Sequence, residues 1–307
     1  MGLLHRYRQR RRALRKKAEL SQAIALRANA LTVQYQGLAL NQREPGVAKN
    51  SPQQIVVSLT SFGKRIHDVY LTVESLFQQS HKADKIVLWL SNEEFNEHNL
   101  PAVLKSQRNR GLEIEFVDGD LGPYKKFFYA LKKYPDALLI TVDDDVLYPI
   151  DIIDRLYSAY LQEPEKIHCG RAHRITLDNQ GQLRPYKEWR RHSNDAESSL
   201  NVFPTGVGGV LYFPGCFDND IFNQDAFVRL APNADDIWLK AMSLKQGVEC
   251  RVFEQRGSWM LHHPSIVGSQ EVSLKRKNKK SALGNDQKLK AVFDEYELFS
   301  ILHNADS

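Results

Sequence analysis

Three consecutive aspartates, Asp143, Asp144 and Asp145, end the apolar run in "LLITVDDDVLYP". Carboxylates packed this closely repel one another, and their pKa values rise unless a cation intervenes. On an extended chain, alternation sends Asp143 and Asp145 to one face and Asp144 to the other. Two hard oxygen donors on one face suit Mg2+ or Mn2+, and they leave most of an octahedron open to water and to a ligand's phosphates. That chemistry fits a nucleoside diphosphate; the plain alternative is a solvated acidic turn. A second pair, Asp235 and Asp236, opens "ADDIWLKAMSLKQG". Acids there also suit the positive end of a helix dipole.

The elements that must position these residues are legible around them. "QQIVVSLTSF" is a short β-branched run ended by Ser61 and Gly63, "DKIVLWLS" a second strand, "LEIEFVDGD" a third and "ALLITVDDD" a fourth. Between them, Val69 to Gln79, "LPAVLKSQRNRG" and "YKKFFYALKKYP" read as helices. Strands alternating with helices of this length predict βαβ units and a mostly parallel sheet, with ligands beyond the carboxyl ends of the strands. The aspartates sit at such an end, as do Thr60, Ser61 and Lys64. Farther on, "PIDIIDRLYSAYLQ" is a helix, a hairpin turns at Asn179 to Gly181, and a last helix runs from Asn285 to Leu302.

The chain has 307 residues, 42% hydrophobic, with a net charge of +5, enough for a substantial core. No run approaches the length needed to cross a bilayer, and the short apolar start lacks the features of a signal peptide. The expectation is a cytoplasmic protein. Cys169, Cys216 and Cys250 show neither metal nor disulfide spacing and read as buried, reduced thiols.

"TVDDDVLYP" resembles the D-x-D motif of GT-A glycosyltransferases, and the βα units before it match their nucleotide-binding half. The later "GVGGVLYFP" and "ADDIWL" resemble the acceptor half, so the likeness covers roughly residues 54 to 270. It is closest in kind to bacterial enzymes that build capsule or lipopolysaccharide. It implies an α/β, Rossmann-like fold: a mixed, mostly parallel sheet flanked by helices, with an N-terminal basic helix. The division is then a basic helical extension over 1–35, a linker over 36–53, a nucleotide-sugar-binding half over 54–150, an acceptor half over 151–270, and a basic loop with a C-terminal helix over 271–307.

The resemblance also assigns roles. Asp143 would face the ribose or a metal-bound water, Asp144 the donor, and Asp145 the Mn2+ or Mg2+ beneath the diphosphate. Thr60, Ser61 and Lys64, with Lys125 and Lys126, would contact the nucleotide. Asp236 would be the base of an inverting transfer, and Asp235 would hold the acceptor or the helix start. A late histidine would complete the metal site, His262 in preference to His263. Gly208 and Gly209, in a segment that also holds Gly206, would let backbone approach a sugar. Trp189, Trp238 and Tyr186 would stack on it. The activity implied is metal-dependent hexosyl transfer from a nucleotide-sugar to a saccharide or glycolipid acceptor.

Basic residues cluster at both ends, Arg6 to Lys17 and Lys275 to Lys280. They suit an anionic membrane surface, which would place the protein peripherally at the inner face of the plasma membrane; the alternatives are a plain solvated helix for the first run and a loop folding over the donor diphosphate for the second. No nucleic-acid-binding motif accompanies them, so no nucleic-acid partner is expected. The rival enzyme is a haloacid-dehalogenase-like phosphatase, whose D-x-D follows the first strand rather than a later one. The rival of another class is a non-catalytic sugar-binding protein, which would have no use for Asp236.

Overall fold

β-branched runs and the helices between them assemble into a seven-stranded sheet. The computed structural model describes residues 3–49, 51–191, 197–253, 258–269 and 284–305. In chain order the strands are β1 (Ile55–Thr60), β2 (Lys85–Ser91), β3 (Leu112–Val117), β4 (Leu138–Thr141), β5 (Ile167–Cys169), β6 (Ala172–Arg174), β7 (Arg190–Arg191), β8 (Val202–Pro204), β9 (Val210–Tyr212) and β10 (Cys250–Val252). The helices are α1 (Leu3–Asn41), α2 (Val69–Phe77), α3 (Ala102–Arg108), α4 (Lys125–Lys133), α5 (Ile152–Gln162), α6 (Gln224–Leu230), α7 (Asp235–Lys245), α8 (Trp259–His262), α9 (Asn285–Glu295) and α10 (Phe299–Ala305).

The large sheet has the order β10-β5-β9-β4-β1-β2-β3, and β6, β7 and β8 form a small second sheet. Every pairing in the large sheet is parallel except those of β9, which runs antiparallel between β4 and β5. The fold is therefore the expected α/β one, a mixed, mostly parallel sheet flanked by helices with a long N-terminal helix.

Side-chain alternation divides the core in two. Val56, Val87, Trp89 and Leu139 join α4 and α7 on one face through Phe127, Phe128, Ile237 and Trp238. Ile55, Val57, Leu59, Ile86, Leu88 and Ile140 join α2, α3 and α5 on the other through Val73, Leu104 and Leu156. Burying each such aliphatic side chain contributes about 1.5–3 kcal/mol. A change such as Leu59→Ala would open a hole at the sheet's centre and cost about 2–5 kcal/mol.

Two elements differ from the sequence expectation, each for a tertiary reason. α1 continues through Gly37 to Asn41, so the connecting segment begins at residue 42 rather than 36. Its later turns bury Ala28, Tyr35 and Ala39, and that packing outweighs the roughly 1 kcal/mol helix cost of the glycine. The C-terminal helix breaks at Glu297, whose φ of 53° is left-handed and lets the buried Leu298 turn inward between α9 and α10. The hairpin expected at Asn179 to Gly181 is present and short, with an antiparallel bridge from Leu177 to Leu183 and the Asp178 carboxylate accepting the Gln180 and Gln182 N–H groups. The basic run Lys275–Lys280 lies outside the described residues.

Candidate active site

From β1 the chain builds outward through β2 to β3, then returns to place β4 on the other side of β1. This reversal opens a crevice beyond the carboxyl ends of β1 and β4. Five segments converge there: Ser61 to Arg65 after β1, the acidic turn after β4, Lys126 in the first turn of α4, Gly206, and Asp235–Asp236 opening α7.

The acidic turn does not alternate. β4 ends at Thr141, and Asp144 and Asp145 lie in a turn. Asp144 and Asp145 share the guanidinium of Arg65, at 2.6 and 2.9 Å, while Asp143 points instead to Lys126 at 2.9 Å. The strict alternation expected of these three residues is thereby corrected: adjacent Asp144 and Asp145 reach one guanidinium, because the extended backbone ends at Thr141. Asp144 also accepts the Ser61 hydroxyl at 2.6 Å. With both oxygens engaged, it braces Arg65 rather than facing a donor. The turn is pinned from behind: Ile266 N–H donates to the Asp145 carbonyl, Leu147 N–H to the Pro264 carbonyl, and Asp143 N–H to the Tyr148 hydroxyl.

Lys126 joins the two acidic groups. Its Nζ lies 2.9 Å from Asp143 and forms an ion pair with Asp235 at 2.8 Å. Gly206 closes over this contact. A Cβ on it would lie 2.8 Å from the Lys126 Nζ and 3.2 Å from oxygens of both Asp143 and Asp236. Its N–H donates to Asp236 Oδ1 at 3.0 Å, fixing the carboxylate's orientation. Asp236 itself is only partly buried and borders a small cavity with Pro204, Tyr212, Leu239 and Lys240.

Charge in this crevice is unbalanced. Among the described residues, five carboxylates, Asp143, Asp144, Asp145, Asp235 and Asp236, meet two ion-pairing cations, Arg65 and Lys126. Burial, opposed by Arg65, raises the Asp145 pKa to about 6. Burial and the neighbouring Asp235 raise Asp236 to about 7, and burial raises Asp144 and Asp235 as well. Burial alone would depress Lys126, but Asp143, Asp235 and Asp236 more than offset it and hold the ammonium firmly charged.

The remaining residues singled out in the sequence fall as follows. Thr60 donates its hydroxyl to the Trp89 carbonyl within the sheet. Lys64 is exposed, and the cation that reaches the acidic turn is its neighbour Arg65. Lys125 is buried but turns away, to pair with Asp120. Gly208 abuts Arg171, and Gly209 adopts a φ of 74° that favours glycine. Trp189 and Trp238 are 2% and 0% exposed, with their indole N–H groups on the carbonyls of Arg184 and Ile221. Neither offers a face to a sugar, and Tyr186 packs against Trp189. Sequence reasoning missed Arg65 and the closeness of Gly206; the adjacent lysine and arginine after Gly63 were the one available hint.

His262 ends α8 and is partly exposed, whereas His263 is buried, stacked on Trp259 and edge-on to Tyr148. Burial lowers the His263 pKa to about 3, so the imidazole is neutral, and its Nε2 is buried with no hydrogen-bond partner among the described residues. Among the described residues no three acidic, histidine or cysteine side chains are already gathered as a metal-ligand set. The donor set nevertheless fits a hard divalent cation. Asp143 and Asp145 offer carboxylate oxygens where negative charge is in excess, whereas His263, although its Nε2 has no partner among the described residues, is not gathered with them.

No protein-family model matches the chain, and no curated protein matches it. Among solved structures, S. aureus TarS 1–349 in complex with UDP-GlcNAc is 12% identical, covering 83% of this chain and 68% of that one at a TM-score of 0.48. The mannosyltransferase PcManGT from Pyrobaculum calidifontis, in complex with GDP-Man and Mn2+, is 12% identical over 90% of this chain and 81% of that one, at 0.42. A CMP:2-keto-3-deoxy-manno-octonic acid synthetase complexed with CTP is 11% identical over 66% and 90%, at 0.38. Likeness at this level does not bear on the chemistry of the site.

Proposed function

We propose that the chain is a glycosyltransferase that moves a sugar from a nucleoside-diphosphate donor onto an acceptor hydroxyl with inversion. One observation carries this reading. The fold gathers five carboxylates at its switch-point crevice, and among the described residues their ion pairs come from two cations, Arg65 and Lys126. Left to itself, such a crevice would repel a diphosphate. With a divalent cation it becomes complementary to one. Asp143 and Asp145 would hold Mn2+ or Mg2+, leaving the other positions of the ion to water and the diphosphate. When bound, the ion supplies positive charge against the departing diphosphate.

The other steps belong to the chain's own groups. Asp236 takes the acceptor's proton as the new glycosidic bond forms. A carboxylate raised to about 7 is half ionised at neutral pH and a stronger base than an ordinary aspartate. The Gly206 N–H holds one of its oxygens and so aims the other. Lys126 fixes the spacing between the donor side, Asp143, and the acceptor side, Asp235. Arg65 holds the turn that carries Asp145 against β1.

The experiment is a thermal-shift screen of nucleotide-sugars with and without Mn2+, followed by product analysis with the donor that stabilises most. Asp236→Asn should keep the donor-induced shift and lose transfer. A product of retained anomeric configuration would remove Asp236 from the role of base. Hydrolysis of phosphomonoesters without any nucleotide-sugar response would support the phosphatase instead.

A further inference from the structure

The first half of α1 has nothing to do with the core. Residues 5–19 are exposed without exception, and the helix's packing on the body begins only from Leu20 onward. Eight lysine and arginine side chains lie between Arg6 and Lys17, with Glu19 the first acid. The arm thus carries more positive charge than the whole chain's net +5, leaving the body slightly acidic.

Exposed apolar side chains gather on the same helix. Tyr7, Leu14, Leu26, Val33 and Leu40 are 57–71% exposed, and they are five of the eleven large hydrophobic residues that are exposed among the described ones. Tyr7 and Leu14 are seven residues apart, and Leu26, Val33 and Leu40 repeat that spacing, so each set stays on one side of the helix. Among the described residues no helix is long and apolar enough to cross a membrane.

The contacts also orient the arm. Gly46, just after α1, packs on Phe77 at the end of α2. Eleven residues earlier, Tyr35 packs with Leu71 at the start of α2, and with Leu147 and Ile266 beside the acidic turn. Read toward its N-terminus, α1 therefore climbs toward the carboxyl ends of the strands, and the basic arm leaves the body on the crevice side.

We propose that α1 is a docking helix that lies in the interface of an anionic lipid bilayer and holds the crevice beside it. Arginines at phosphate level with apolar side chains inserted between headgroups satisfy both features of the helix at once. Nucleic acid would match the arginines and leave the five apolar side chains without a place. A second copy would set one eightfold cationic arm against another. The docking is independent of the reaction proposed above, so the two can fail separately.

Vesicle co-sedimentation of the full chain tests it, with phosphatidylcholine alone or mixed with phosphatidylglycerol. Binding is expected to the anionic vesicles only, and to weaken with salt. Each cation near the surface contributes about fivefold, the equivalent of about 1 kcal/mol, so changing Arg10, Arg11 and Arg12 to glutamine should lower partitioning about 100-fold. Changing Leu26 and Val33 to glutamine should weaken binding while leaving its salt dependence intact. Both sets are exposed, and an unchanged melt confirms the fold. Equal binding to neutral and anionic vesicles would overturn the proposal. So would capture by duplex DNA or RNA, or self-association, without vesicle binding.

Discussion

Two buried clusters of charge, one behind the sheet and one beyond the carboxyl ends of its strands, are built on opposite plans. Behind the sheet Glu74, on α2, receives Arg110 in a bidentate pair at 2.7 and 3.0 Å, with Gln78 at 2.7 Å and Gln107 at 3.1 Å. Arg110 also donates to the Glu44 carbonyl and stacks on Phe77. One negative charge meets one positive charge, and the hydrogen bonds tie α2, α3 and the segment after α1 together. In the crevice, five acids share two ion-pairing cations among the described residues, and several carboxyl pKa values are forced upward. A balanced buried pair becomes costly only when one partner is removed, whereas an unbalanced cluster persists against its own repulsion and marks a candidate functional place.

The sharpest way to break this contrast is to neutralise one acid on each side. Asp236→Asn should lower the transfer rate about 10²–10⁴-fold. The same change removes a carboxylate held at an unfavourable pKa, so urea unfolding should show unchanged or higher stability. Glu74→Ala should do the reverse. It strands Arg110 and costs about 3–5 kcal/mol of stability, while the protein that remains folded keeps its donor response. If Glu74→Ala proved harmless, or Asp236→Asn unfolded the protein, the contrast would be lost.

Gly206→Ala comes next. The added methyl meets Lys126, Asp143 and Asp236 together, and displacing three groups by even an ångström should cost about 100-fold in kcat/KM with little change in melting. The smallest expected effect is a pH dependence. Asp145 and Asp236 hold protons to about 6 and about 7 in the folded chain, against 3.8 ordinarily. Between about pH 4 and 7 the native state therefore binds more protons than the unfolded one, and metal-free stability should fall as pH rises through that window, then level off. Asp236→Asn should flatten the upper part of this slope. Transfer by the unaltered protein should rise with pH through about 7, as the base ionises.

Much of the fold was legible in the sequence because β1 to β4 are buried runs of fitting length separated by amphipathic helices. The acids were legible because they are costly in such places. What escaped was set by contacts between distant segments. Arg65 rather than Lys64 reaches the acidic turn, since the short helical turn from Gly63 rotates one inward and the other out. Trp189 and Trp238 suited a sugar by type, but their positions are core, a distinction that only packing makes. Gly206 reads as one glycine among several until Lys126 is seen beneath it. Glu297 has no local reason to break a helix; the burial of Leu298 supplies one.

The central claim is that the unbalanced crevice is completed by a divalent cation together with a diphosphate. Calorimetric titration of UDP and GDP into the full chain, with and without Mn2+, tests it most directly. The account predicts that Mn2+ strengthens binding of one of them by at least about tenfold, roughly 1.4 kcal/mol, and that Asp145→Asn abolishes the gain. Equal affinities with and without Mn2+, or a gain untouched by Asp145→Asn, would contradict it.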